Sequence, residues 1–289
     1  TRFTFKNTTE RLEHHEEAPS LKECLHLLAT NRPLLMLFLG NIFFVIIKVS
    51  EQASFYFAYD ALFNAKYNGF LDIAKAPGSF LAGIFVPIII ERLGRKADSK
   101  KFYQVCCVMG IVLNGLFALC TYNGIMNKGA GQSVSLLTGL MVIVFSAVVT
   151  FPLEFKNLMQ KEMEAETVDY VEWKTGKRVE GTMLSIMSFT GKLEGTLSSF
   201  ICLQVLARTG YVEHTTDVST LQNHSTLLGL FLMTTVFPMV GYALMLIPMH
   251  FYNITGDSHR RMIKDIMARR AQAGEAAAQE AVAAEAKEG

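Results

Sequence analysis

The residues best placed to do chemistry are charges in stretches where a charge is costly. An ionisable group at mid-bilayer costs about 2.5–3.5 kcal/mol on insertion scales, so one that persists there tends to face a partner or a water-filled cavity. Lys192 is the clearest case. Its nearest acid along the chain, Glu194, is two residues away, and on a helix that side chain points well away from the lysine. Ser185, Ser188, Thr196 and Ser199 stand at i−7, i−4, i+4 and i+7 from Lys192 and draw one polar stripe, kept slim by Gly191 and Gly195. Hydroxyls and small residues also mediate ordinary helix packing in membranes, but packing needs no unpaired ammonium. The stripe predicts a cavity-facing Lys192 with Ser185 and Ser188 beside it. Lys48 with Glu51, and Asp72 with Lys75, are each three apart and read as local ion pairs that ease insertion.

Enzyme chemistry finds little support. His14-His15-Glu16-Glu17 lies on a charged arm and reads as solvated, and Cys106-Cys107 lacks metal-ligand spacing. There is no His-Glu-x-x-His, Gly-x-Ser-x-Gly or Walker loop. No catalytic residue, resident cofactor or metal is expected.

The elements that must position these groups are long and apolar. Of the 289 residues 51% are apolar and 18% charged, against about a quarter charged in an ordinary soluble domain. A formal charge of +1 argues against a nucleic-acid partner. Residues 102–127, 129–153 and 225–256 contain no Asp, Glu, Lys or Arg. Each can cross a hydrocarbon core, which takes roughly 20 helical residues. Residues 33–59, 70–90 and 181–207 qualify with the interruptions described above. Backbone in hydrocarbon must satisfy its own hydrogen bonds, so these segments read as helices. The expectation is an all-α membrane protein with six transmembrane helices. Residues 1–32 form a cytoplasmic segment, 33–255 the membrane domain and 256–289 a cytoplasmic tail.

Six spans put both termini on one side. The termini and the second and fourth connections hold 21 of the 27 Lys and Arg, whereas the other three connections hold Lys66, Lys128 and Arg208. The positive-inside rule makes the basic side cytoplasmic, with the chain multi-pass in the cell's cytoplasmic (inner) membrane. The opening stretch lacks the apolar core of a cleavable signal, and its first residue, Thr1, suggests a fragment or processed chain. Four of the five cysteines fall in spans and Cys24 outside them, so no disulfide framework is expected. Prolines 77, 87, 152, 238 and 248 fall in or beside spans and permit kinks. In the tail, Met262, Ile263, Ile266 and Met267 recur at helical spacing among basic residues, which suits a helix on the membrane surface. The Ala/Glu run from 273 reads as solvated.

Two connections carry a family resemblance. Glu91-Arg92-Leu93-Gly94-Arg95-Lys96 resembles the acid-Arg-x-Gly-Arg-basic loop motif of the major facilitator superfamily, with Pro87 where that pattern often has Gly. Glu166-Thr167-Val168-Asp169-Tyr170-Val171-Glu172-Trp173-Lys174-Thr175-Gly176-Lys177-Arg178-Val179-Glu180-Gly181 looks like the loop signature of the glycoside–pentoside–hexuronide:cation symporters. Lys192 and the phrase Asn31-Arg32-Pro33-Leu34 extend the likeness over about residues 20–255. The resemblance implies the C-terminal six-helix half of a twelve-helix carrier that moves a sugar or glycoside with Na⁺ or H⁺. It also implies that the coupling cation binds mainly in the N-terminal half, this chain's partner across the substrate path. Where the melibiose carrier has a sugar-facing Trp, this sequence has Asn157, flanked by Glu154 and Lys156, so the fourth span is expected to run past Leu153. Lys156 and Lys192 together would suit an acidic sugar such as a uronide. Asp169, Tyr170, Glu172, Arg178 and Glu180, with Arg92 and Arg95, are expected to form a cytoplasmic gate in charged loops. A different architecture is a stand-alone six-helix membrane protein, acting as a homodimeric transporter or as an interaction module without transport.

Overall fold

The computed structural model describes residues 20–64, 66–93, 98–128, 132–176, 179–213 and 221–288, with the side chains at 86, 89–93 and 273–288 outside that description. The His14–Glu17 cluster lies outside the described residues. The described elements are helical throughout: α1 (Leu21–Thr30), α2 (Arg32–Tyr56) continued by a π-helical turn (Phe57–Ala61), α3 (Lys66–Leu93), α4 (Ser99–Met126), α5 (Leu136–Thr175), α6 (Glu180–Thr209), α7 (His224–Phe251) and α8 (Gly256–Glu288).

Local chemistry sets the helix ends. Ser20 and Glu23 form a capping box at α1, in which the Glu23 N–H donates to Ser20 Oγ and the Ser20 N–H donates to Glu23 Oε2. Asn31, Ser135 and Asn223 cap α2, α5 and α7 by accepting from the N–H of Leu34, Thr138 and Thr226. The α5 C-cap, Gly176, has φ +72°, a left-handed conformation that a side chain would strain.

Among the described residues, four helices are long and apolar enough to cross a membrane: Arg32–Ala61, Ser99–Met126, Leu136–Thr175 and His224–Phe251. The other two candidates from the sequence, α3 and α6, are 28 and 30 residues long and carry the Asp72/Lys75 and Lys192/Glu194 interruptions. Around the bundle, α7 packs between α2 and α4, and α5 packs between α4 and α3, while α6 lies against α2. Glycines permit the closest approaches. A Cβ on Gly241 of α7 would stand 3.2 Å from the Ile47 backbone nitrogen of α2, and one on Gly110 of α4 would stand 2.5 Å from the Tyr242 ring of α7. Beside a small cluster of Leu34, Met183 and Ile186, two larger apolar clusters result among the described residues. One, at the end where α8 attaches, holds Phe44, Tyr103, Met159, Met163, Met249 and Tyr252. The other, at the opposite end, holds Phe57, Phe117, Ile125, Leu230 and Phe231.

Three sequence expectations need correction here. The fourth span begins at Leu136 rather than Gly129 and runs to Thr175 as one helix, so Asp169, Tyr170 and Glu172 belong to α5 rather than to a loop. No helix-ending residue intervenes before Gly176, and the charged stretch is simply helix beyond the apolar part. Lys48 does not pair with Glu51 but with Glu194 of α6, at 3.6 Å. Met262 and Ile266 of the tail, expected on the membrane surface, are instead buried where α8 folds back onto α5. The Asp72–Lys75 pair is present, at 3.4 Å.

Candidate functional site

A groove runs between α2 and α5, which meet over only a short stretch. It opens into a cavity of about 250 Å³ bordered also by α3, α4 and α7. Its polar lining comes from Ser50, Glu51 and Ser54 on α2, Lys75 and Ser79 on α3, and Asn114 on α4. Ser146, Thr150 and Glu154 on α5 and Thr234 and Tyr242 on α7 complete it. Along α5, Ser146, Thr150 and Glu154 recur every four residues, which puts all three on one helix face. Glu154 is half-buried and oriented from two sides: Ser79 Oγ donates to Oε1 at 3.4 Å and Asn157 Nδ2 donates to Oε2 at 3.5 Å. Ile47, Leu71, Phe117, Val149 and Leu153 supply apolar wall. Carboxylates and hydroxyls that accept, hydroxyls and an ammonium that donate, and flat apolar surface between them suit a polyhydroxylated small molecule.

Beyond Glu154, toward the α8 end, the groove is closed. Lys156 is fully buried, with Nζ 3.7 Å from the centroid of the Phe44 ring on α2 and hydrogen-bonded to Gln160 Oε1 at 3.1 Å. A desolvated cation–π contact of this kind contributes about 2 kcal/mol. The Lys48–Glu194 pair ties α2 to α6, and Glu194 is within electrostatic reach of Lys156 as well.

The structure does not gather the sequence's substrate-binding candidates into one site. Ser185, Ser188 and Lys192 are exposed on α6, and none lines the cavity. Ser185 Oγ donates to the Gly181 carbonyl of its own helix. The same helix turns Thr190, Glu194 and Ser198 inward instead. Asn157 is half-buried and reaches the cavity only through Glu154, and Lys156 is enclosed in the core. With Lys156 buried and Lys192 exposed on another helix, the two-lysine pocket for an acidic sugar does not form in this chain. The sequence reading passed over Asn114, Ser146, Thr150, Thr234 and Tyr242; the four-residue recurrence on α5 was the available signal.

Four of the gate candidates, Asp169, Tyr170, Glu172 and Glu180, have described side chains. Asp169 Oδ2 lies 2.9 Å from His259 Nε2 of α8, and Glu172 accepts from Arg270 Nε at 3.0 Å. Tyr170 is half-buried beside Trp173, and Glu180 opens α6 on its exposed side. Arg95, Arg178 and the Arg92 side chain lie outside the described residues. The hydrogen bond that His259 donates to Asp169 raises its pKa above the usual histidine value; burial opposes this, and the nearby Glu166 adds to it. Among the described residues, no group of His, Cys, Asp and Glu is arranged to hold a metal ion.

Long apolar helices around a polar groove define a multi-pass membrane protein. The chain belongs to the MFS/sugar transport protein family of the major facilitator superfamily, whose profile matches residues 2–256. It is 25% identical over 267 residues to the uncharacterized symporter YjmB of Bacillus subtilis, covering 91% of this chain and 53% of that protein. It is 24% identical to a glucuronide carrier protein homolog of Escherichia coli, over 91% of this chain and 53% of the relative. It is also 24% identical to the isoprimeverose transporter of Lactiplantibacillus pentosus, over 93% and 52%. The chain thus spans about half the length of these relatives.

Proposed function

We propose that this chain is the C-terminal half of a secondary active transporter of the glycoside–pentoside–hexuronide:cation type, moving a sugar or glycoside with Na⁺ or H⁺. Six helices, α2 to α7, span the cytoplasmic membrane with both termini inside. The observation that carries this reading is the hydroxyl- and carboxylate-lined groove between α2 and α5, set among helices that are otherwise apolar. In a two-half carrier, substrate binds near the midplane between halves that rock about the site. The groove is this half's share of that site. Glu51, Glu154 and the α5 hydroxyls hydrogen-bond substrate hydroxyls, and the Lys156–Phe44 contact closes the path below it.

The exposed polar stripe of Ser185, Ser188 and Lys192 is read as the surface on which α6 meets the other half, so Lys192 is satisfied across that seam rather than within this chain. Asp169, Tyr170, Glu172, Arg178 and Glu180, with Arg92 and Arg95, form the inner gate, in which Asp169 and Glu172 act through α8. Substrate alone cannot drive accumulation. The gradient of the coupled ion does, through acids supplied by the other half. The names of the relatives (symporter, glucuronide carrier, isoprimeverose transporter) agree with a sugar-like solute.

The test is uptake of a panel of labelled glycosides by the longer carrier in membrane vesicles, under imposed Na⁺ and H⁺ gradients. Accumulation of at least one glycoside that collapses with an ionophore is the expected result. Absence of gradient-dependent accumulation across the panel, in vesicles shown to contain the carrier, refutes the proposal.

A further inference from the structure

At one end of the molecule α8 is fastened to the last turns of α5 by a single helix face. His259 Nε2 is 2.9 Å from Asp169 Oδ2. Trp173 Nε1 donates to Asp265 Oδ2 at 3.0 Å, Arg269 donates to the Trp173 carbonyl at 2.8 Å, and Arg270 donates to Glu172. Met262 and Ile266 are buried on the same face, while Met267, one residue beyond, is largely exposed. The spacing 259, 262, 266, 269 is that of one helical stripe, so the face is built to dock and the rest of the helix to be solvated.

Of these contacts, only His259 changes charge near neutral pH. The charged groups facing it are Asp169, Glu166 and Glu162, all on α5. Glu166 is itself fixed in the core, accepting from Ser99 Oγ of α4 at 2.8 Å and from the Tyr252 hydroxyl after α7 at 3.3 Å. One imidazole thus stands against three acids, one of which belongs to a network joining α4, α5 and the end of α7. Asp169 lies fifteen residues beyond Glu154 on the same unbroken helix, roughly 22 Å at 1.5 Å per residue. A helix held at that end is held as far as Glu154, and Pro152, which permits a kink, separates that part from Ser146 and Thr150.

We infer that α8 is a proton-dependent clasp: protonated His259 tightens its docking on α5, and deprotonation loosens it, so the acidity on that side of the membrane sets how freely α5 moves. The inference rests on the reading that α5 lines the transport path. The sign follows from the direction of the shift. The charged contact is complete below the ordinary histidine value of about 6.5 and is lost as pH rises through the higher value of the docked state.

The chain contains one tryptophan, and it sits in the clasp. The experiment is a pH titration from 5.5 to 9 of Trp173 emission in the full chain in lipid nanodiscs, with hydrogen exchange of residues 256–271 measured alongside and corrected for its intrinsic pH dependence. The expected result is a red shift with a midpoint above the ordinary histidine value. Exchange is expected to rise about tenfold over the same range, as a charge-assisted contact is lost. His259→Gln and Asp169→Asn are each expected to abolish the transition, and His26→Gln on α1 to leave it intact. Flat emission and exchange in the unaltered chain overturn the inference, and so does a transition that survives in a folded His259→Gln or Asp169→Asn protein. Neither readout involves substrate, so loss of the clasp and failure of transport are separable results.

Discussion

Replacing Glu194 tests whether charge pairing holds α2 against α6. The carboxylate is 9% exposed, and Lys48 Nζ is 3.6 Å from it with its own side chain 29% exposed. At an effective dielectric of 20, two unit charges at that distance attract by about 4–5 kcal/mol, and desolvation cancels much of this. Removing one partner of a buried pair costs about 3–5 kcal/mol because the survivor is stranded; with Lys48 partly solvated, about 2–3 kcal/mol is expected for Glu194→Gln. The two single variants should differ. Glu194→Gln also takes from the fully buried Lys156 one of its three nearby acids, leaving Glu154 and Glu164, whereas Lys48→Met leaves Glu194 with Lys156 nearby. Glu194→Gln is therefore the more damaging, by about 1 kcal/mol. The double variant should recover about 1–2 kcal/mol relative to the sum of the singles. The assay is reversible unfolding in mixed detergent micelles followed by circular dichroism, as a double-mutant cycle. Additive losses, or Lys48→Met costing more than Glu194→Gln, refute the reasoning.

The other predictions are smaller in scope. Gly110→Ala places a methyl 2.5 Å from the Tyr242 ring, so it should cost about 1–3 kcal/mol in the same unfolding assay and push the ring toward the cavity that Tyr242 lines. In the longer carrier, Glu154→Gln removes a charged acceptor from the cavity. Its half-saturation constant for sugar should rise about tenfold, one charge-assisted hydrogen bond, with the amount of protein in the membrane unchanged. His259→Gln should lower the melting temperature of the chain at pH 6 and leave it unchanged at pH 9, because the raised histidine stabilises only while protonated; a loss of the same size at both pH values contradicts that assignment.

Much of this architecture is legible from charge placement. The charge-free runs became α4, the apolar part of α5 and α7, because a long apolar segment leaves the backbone no alternative to helix. The extension past Leu153 was visible in the flanking Glu154, Lys156 and Asn157. The partners were not visible. A sequence shows which groups share a helix, so Lys48 was assigned to Glu51 three residues away, when its partner Glu194 stands on a helix almost 150 residues later. The polar stripe at Lys192 lies on the outer face of α6, with Glu194 turned inward, so a cavity there needs a surface outside these helices. The charged stretch after Lys156 read as a loop because membrane boundaries draw attention to apolarity. Helix propensity ignores that boundary, and α5 stops only where Gly176 adopts a positive φ. The docking of α8 depends on contacts about 90 residues apart that no local pattern encodes.

The claim on which the account turns is that sugar occupies the groove between α2 and α5. Thiol labelling of the longer carrier in vesicles addresses it directly, with a cysteine at Ser146→Cys inside the cavity or at Leu137→Cys on the exposed side of the same helix. A transported glycoside should slow labelling at position 146 in proportion to its occupancy and leave position 137 untouched. Equal labelling rates at position 146 with and without saturating substrate contradict the account.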